Sequence, residues 1–221
     1  MARTRQSAYL EEIEADIDMR PETSTSETAS KTCTIAAIVH EARAASVDLV
    51  VAEAARRLRA HGMRLGGLIQ HNVEKDGLDC AEMLLEDLAS GQRVSISLSR
   101  GKGATGCRLD PSGLAEAASL GARGISGGVD LAVISKFGPQ EAAGKGLREE
   151  IALAALNGTP LLTSVSRRLL PAWRAFIGED WTELPADPDA ILAWGLSVTA
   201  ARGPARPEAL DMMCDGRSRH A

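Results

Sequence analysis

The sequence has no apolar run long enough to make a membrane-spanning helix, which excludes a protein that crosses a bilayer on helices. Aromatic residues are only 3% of the chain while hydrophobic residues are 44%, so the expected core is aliphatic. The four cysteines, Cys33, Cys80, Cys107 and Cys214, include no CxxC pair. The opening stretch, MARTRQSAYLEEIEADID, has two arginines but no apolar segment behind them. No secretory signal is expected, and reduced thiols in the cytoplasm follow. There is no excess of basic charge: the net charge is −5, which argues against general nucleic-acid binding. The pattern GxxxxGK[ST] is missing, so a Walker A loop cannot be read, and no Ser-His-Asp arrangement is assigned. The body of the chain shows no internal repeat.

What is present is an alternation of strand and helix signals over 221 residues, the length of one α/β domain with tails. Residues 1–31 read as a disordered N-terminal extension, because Arg20–Lys31 (RPETSTSETASK) is polar and rich in breakers. Residues 32–198 read as the α/β domain, and residues 199–221 as a flexible tail. Within the domain, Thr34–His40, Leu65–His71, Arg93–Leu98, Val129–Ile134 and Pro160–Val165 read as strands, while Cys80–Leu88 fits strand or helix. Helices are expected from Ser46 to Gly62, from Asp110-Pro111 to Arg123, over Lys145–Leu156 and Pro171–Ile177, and from Asp187-Pro188 through Trp194. Strands joined by crossover helices predict a mainly parallel sheet covered on both faces.

In such a sheet, ligands bind beyond the carboxyl ends of the strands. Two loops expected at that edge carry the chemistry. The first, Ser97–Asp110 (SLSRGKGATGCRLD), contains Arg100, Gly101, Lys102, Gly103, Gly106 and Arg108 and leads into a helix start. Glycines let backbone amides approach a ligand, and the basic side chains and helix N-terminus favour an anion, most simply a phosphate group. A basic surface loop is the plainer alternative. The second, Ser135–Gly146 (SKFGPQEAAGKG), places Lys136 at a strand end beside Gly138, Glu141, Gly144 and Lys145. Lys136 is a candidate phosphate contact. Glu141 is a candidate for orienting water or holding a metal, or else an ordinary helix-surface partner of Lys145 four residues on.

His40–Ala45, Gln70-His71 and Ser164–Arg168 are expected at the same edge, with Arg167-Arg168 adding charge there. His40 and His71 both end strands, yet with Cys80 and Cys107 they match no metal-ligand spacing, and no metal site is assigned. Cys107 stands between Gly106 and Arg108 near a helix start, a setting that lowers a thiol pKa, although a packed small side chain is the commoner outcome. Trp173, Phe176, Trp181 and Trp194 read as core or lid packing.

Three segments, GLIQHN at 67–72, GCRLD at 106–110 and SKFGPQEAAGKGLR at 135–148, resemble in order an uncharacterised bacterial domain-of-unknown-function family linked to molybdenum uptake genes. The resemblance spans roughly residues 34–196. That family in turn resembles the thermophilic nucleoside-triphosphatases, which implies a P-loop NTPase-like three-layer sandwich. In those enzymes a strand continues into Asp-Glu-x-Gly-Pro-x-Glu. Here Gly138, Pro139 and Glu141 match, while Ser135 and Lys136 replace both acids, and EARAAS stands where the Walker A loop would be. The resemblance implies a nucleotide- or phosphate-like anion-binding protein of the cytoplasm, with a nucleoside triphosphate and Mg²⁺ as the implied cofactors. Hydrolysis is expected to be weak or absent, with Glu141 as the one catalytic candidate. The alternative it implies is a non-enzymatic accessory in molybdate uptake or molybdenum cofactor use, with a protein partner engaged through residues 1–31.

Overall fold

The alternating periodicity becomes a layered α/β structure. The computed structural model describes residues 33–41, 46–74, 81–98 and 108–202, all of which fall in the unit Thr32–Ala221. The elements are, in order, β1 (Ile35–His40), α1 (Ser46–Ala60), β2 (Leu65–Val73), β3 (Glu82–Asp87), β4 (Arg93–Ser95), β5 (Ser97–Leu98), β6 (Arg108–Leu109), α2 (Pro111–Ser126), β7 (Leu131–Phe137), α3 (Pro139–Ala142), α4 (Arg148–Leu156), β8 (Leu161–Ser166), α5 (Leu170–Ile177), β9 (Thr182–Leu184) and α6 (Pro188–Arg202). A three-residue 3-10 turn, Arg167–Leu169, links β8 to α5.

Seven strands form one sheet in the order β4-β3-β2-β7-β8-β1-β9. β2, β7, β8, β1 and β9 are parallel, and β3 and β4 extend the sheet antiparallel on the β2 side. Alternation along the strands sends side chains to two aliphatic cores. Ala36, Ile38, Leu65, Ile69, Leu131, Val133 and Leu162 meet α1 and α6 on one face. Ala37, Leu68, Ala132, Ile134, Leu161 and Val165 meet α2, α4 and α5 on the other. The stripe expected on α1 does this work: Val47, Val51, Ala54 and Leu58 are buried and Val50 packs against them. The fold is therefore the mainly parallel sandwich, helices on both faces, that the sequence implied.

Several local expectations change. Within Cys80–Leu88, Glu82–Asp87 forms strand β3. Arg93–Leu98 divides into β4 and β5, because the chain turns out of the sheet at Ile96 and pairs instead with β6. Asp110 caps α2 through its side chain as expected, accepting from the Ser112 amide at 3.0 Å, but the helix runs on to Ser126. The helix expected from Lys145 begins at Arg148, after the short turn α3. β9 was not foreseen, its three residues being too few for a period to show. The last helix continues past Trp194 to Arg202.

Two features position the carboxyl edge. First, β7 carries a bulge: Ile134 pairs with Thr163 but Phe137 pairs with Val165, so one extra residue is inserted on β7. Phe137 thereby enters the α5 side of the core, where its ring lies 5.3 Å from Trp173 and 5.7 Å from Phe176, while Lys136 reaches toward α1. Second, β1 and β8 are neighbours whose onward connections leave on opposite faces, through α1 and α5. That is a topological switch point, where open α/β sheets form a crevice.

Gly67 in β2 shows how tightly the sheet is built. Its φ is +95°, and a Cβ there would lie 2.3 Å from the Val133 carbonyl oxygen. Gly62 also has a positive φ, +83°, but no atom stands within 4 Å of its missing Cβ. Gly62→Ala is expected to cost about 1 kcal/mol, the backbone term alone, and Gly67→Ala about 2–4 kcal/mol because the backbones must also part. Urea unfolding of the two variants measures the difference.

Candidate functional site

The carboxyl edge of the sheet gathers polar residues from five elements. β1 ends at His40, opposite Ser166 at the end of β8. The last residues of β2 before Val73 are Gln70, His71 and Asn72, and β7 carries Ser135 and Lys136 just before its last residue, Phe137. Above them, α1 begins, with Asp48 in its first turn.

The Lys136 ammonium lies 3.9 Å from Asp48 Oδ2, with side chains 44% and 17% exposed respectively. Asp48 is held from behind: the Asn72 amide donates to Asp48 Oδ2 at 3.2 Å, and the Gln70 amide donates to Asn72 Oδ1 at 2.8 Å. An exposed ion pair of this length contributes about 0–1 kcal/mol, so stability does not account for the arrangement. Beneath it, the Ser164 hydroxyl donates to the Ser135 carbonyl at 2.6 Å. The Ser166 hydroxyl, by contrast, is buried and has no hydrogen-bond partner among the described residues. At the rim, Arg167 donates to Glu41 at 3.0 Å, so at least one of the two arginines expected near this edge is already paired.

The loop after Lys136 closes on Glu141. Its Oε2 accepts from the Gly138 amide at 2.8 Å and its Oε1 from the Leu147 amide at 2.9 Å, and the side chain is buried. Gly146 (φ +65°) passes so close that a Cβ would fall 2.1 Å from Oε1. Arg148 donates to the Glu141 carbonyl at 2.9 Å and places its guanidinium 3.8 Å above the Phe176 ring. Glu141 thus acts first as the internal clasp of residues 138–147, holding Gly138 with it, and its carboxylate is engaged by amides rather than by Lys145.

The basic loop is only framed. Arg100, Gly101, Lys102, Gly103, Gly106 and Cys107 lie outside the described residues, as does the Arg108 side chain. The stem that carries them is described: Ser97 and Leu98 pair with Leu109 and Arg108, and the Ser97 hydroxyl accepts from the Met83 amide at 2.8 Å. β4, like β7, leaves the sheet at this carboxyl edge. Three strand spacings separate β4 from β7, about 14 Å.

His40 and His71 do not come together. His40 donates to the Glu41 carbonyl at 2.8 Å, whereas His71, two strands beyond β8, meets Glu86 at 3.0 Å. Arg93 also donates to Glu86, at 2.9 and 3.0 Å. Burial works to raise the Glu86 carboxyl, but the Arg93 bond and the charges of Arg93, His71 and Arg59 outweigh it and hold the group below its ordinary range. Among the described residues, no three His, Cys, Asp or Glu side chains form a metal cage, and no helix is long and apolar enough to cross a membrane. Sequence reasoning missed Asp48 and Asn72 as members of the edge. Asp48 reads as an ordinary first-turn acid on a helix, and only the return of β2 and β7 beneath it reveals its neighbours.

Two variants test the carboxylates of this region. Glu141→Ala leaves two buried amides without an acceptor and is expected to lower stability by about 2–4 kcal/mol in urea unfolding. Glu150 on α4 is the opposite case. Burial pushes its carboxyl up, a backbone hydrogen bond opposes this, and Glu149 and Glu141 reinforce it, while Oε2 has no partner among the described residues. A folded-state pKa above the unfolded value means that stability is fully present below about pH 4.3 and is lost as pH rises. Glu150→Gln is therefore expected to raise the melting temperature at pH 7, with the gain vanishing below about pH 4.

Comparison with known proteins adds the lineage. A curated relative, the Molybdenum import ATP-binding protein ModC 2 of Bradyrhizobium diazoefficiens, is 43% identical over 149 residues, which is 67% of this chain and 16% of that protein. The chain thus spans well under a fifth of that relative's length. No solved structure matches. The model of the family described as "Protein of unknown function (DUF2478)" matches residues 35–194, most of the chain, and the chain belongs to that family.

Proposed function

We propose that this chain binds a nucleotide, or another phosphate-like anion, at the carboxyl edge of its sheet. The observation that carries this reading is Lys136, delivered by the β7 bulge to the first turn of α1 at the switch-point edge. Arg100, Lys102 and Arg108, with Gly101, Gly103 and Gly106, would add charge and amides from the hairpin loop, and Gly138 would present its neighbourhood to the ligand from the second loop. A relative named as an ATP-binding protein supports a nucleotide as the anion. In this reading the chain is a degenerate cousin of the Walker-type NTPases, the thermophilic nucleoside-triphosphatases among them, with EARAAS in place of the phosphate loop. Loss of preorganised charge costs about 10²–10³ in rate per group, so hydrolysis is weak or absent. Any water oriented by Glu141 would use the lone pairs that the two amides leave open. The setting is cytoplasmic.

A second reading rests on the same relative. Matched residues make up 16% of a protein named for molybdenum import, so a segment like this one exists inside a larger import ATP-binding protein. In this reading the chain serves as an accessory of such a protein, with residues 1–31 as the docking arm. Co-purification with a molybdate-import ATP-binding subunit, tested with and without residues 1–31, separates the two: capture that depends on the arm favours the accessory role.

The first reading is tested by titrating ATP, GTP and molybdate against thermal unfolding. A ligand at a hundred times its Kd stabilises by about 2.7 kcal/mol, a rise of about 5–10 °C for a chain of this size. Lys136→Met is expected to remove most of that rise. If no ligand shifts the transition at millimolar concentration, anion binding at this edge is wrong.

A further inference from the structure

The Lys136–Asp48 pair has an unusual distribution between its two elements. In a Walker-type site the cation comes from the start of the helix after the first strand, and the carboxylate that serves Mg²⁺ comes from the end of a neighbouring strand. Here both elements are present at one edge, but the helix start brings Asp48 and the strand end brings Lys136. The two signs are present and have changed places.

Three observations say that the pair is more than a surface contact. At 3.9 Å the charges are neighbours without a closed hydrogen bond between them. The carboxylate is oriented from β2 by the Asn72 amide, which Gln70 fixes in turn, the kind of outer support that aims a ligating group. Ser166, at the end of β8, has a hydroxyl that is only 8% exposed by residue and has no partner among the described residues. Alternation puts it on the same face of the sheet as Leu162, the face α1 covers. An unspent buried hydroxyl under that helix is a group awaiting an acceptor or donor. The donors at hand, a carboxylate and amide and hydroxyl oxygens, are hard oxygen ligands, and Mg²⁺ typically uses one or two carboxylates together with phosphate oxygens and water.

We propose that Asp48 and Lys136 act as one exchanged pair, Lys136 receiving the terminal phosphate of a nucleotide and Asp48 holding the Mg²⁺ that accompanies it. This rests on the nucleotide reading above and goes beyond it by assigning the cation to Asp48 on α1. It makes Asp48 neutral to phosphate binding alone, or mildly opposed to it, and necessary for the gain that Mg²⁺ brings.

The test is calorimetric titration of ATP into the full chain, with Mg²⁺ and with EDTA. The wild-type chain is expected to bind about tenfold or more tightly with Mg²⁺, the scale of one charge-assisted contact. Asp48→Asn keeps an acceptor for Asn72. It is expected to lose the Mg²⁺ gain while binding metal-free ATP as well as the wild type or better. Lys136→Asp alone is expected to abolish binding in both buffers, and the exchange variant Asp48→Lys with Lys136→Asp to recover Mg²⁺-assisted binding. An Asp48→Asn chain that still gains from Mg²⁺, or an exchange variant no better than Lys136→Asp, overturns the assignment while the nucleotide reading stands. Wild-type protein that binds no ATP in either buffer overturns both. Circular dichroism melts of each variant, matched to wild type, identify the chains that are folded, and the reading of each titration is taken on those.

Discussion

One inserted residue in β7 organises the polar carboxyl edge of the sheet. Between Ile134 and Phe137 the strand advances three residues while β8 advances two. Without that insertion strict alternation would send Phe137 to the α1 face and Lys136 into the α5 side. With it, Phe137 joins Trp173 and Phe176 in the core, and the ammonium of Lys136 meets Asp48 on α1. A bulge re-aims a side chain at little cost in pairing, because only one ladder position is given up. The aromatic packing holds the bulge, and the bulge presents the lysine.

Around that point the polar groups divide into committed and uncommitted ones. Glu141 is committed: two amides and the close pass of Gly146 fix it inside its own loop. Ser164 is committed to the Ser135 carbonyl. Ser166 and the Lys136–Asp48 pair are not closed in this way. Burial of a hydroxyl without a partner is unfavourable, and in the proposed reading a ligand at the sheet edge would supply the missing bond to Ser166. The residues that close the 138–147 loop are thus different ones from the open polar groups at the edge.

Much of the fold was legible because burial is periodic. The α1 stripe, the Ile/Val-rich strands and the Asp110-Pro111 cap each declare themselves within a few residues. What stayed hidden depends on partners distant in sequence. The antiparallel β3 and the three-residue β9 have too little pattern of their own, and the bulge in β7 exists only relative to β8. Of the candidate residues, Lys136 was legible because a strand pattern ends there. The role of Glu141 was not, since nothing local shows that Gly138 and Leu147 turn their amides onto it. Asp48 was hidden by its ordinariness at a helix start.

The order of the strands also has a temporal consequence. β1 precedes the other described strands in the chain, yet among the described residues its hydrogen-bonded neighbours in the sheet are β8 and β9. Ile35 pairs with Leu161, so the ribosome must add well over a hundred residues, roughly ten seconds of synthesis, before β1 can be zipped into place. Until then the Ile35–His40 segment is an unpaired apolar ribbon, and the crevice beside His40 does not exist. The β1 end of the sheet's carboxyl edge is thus assembled only after β8 has been made, and Ile35–His40 is without its strand partners until then.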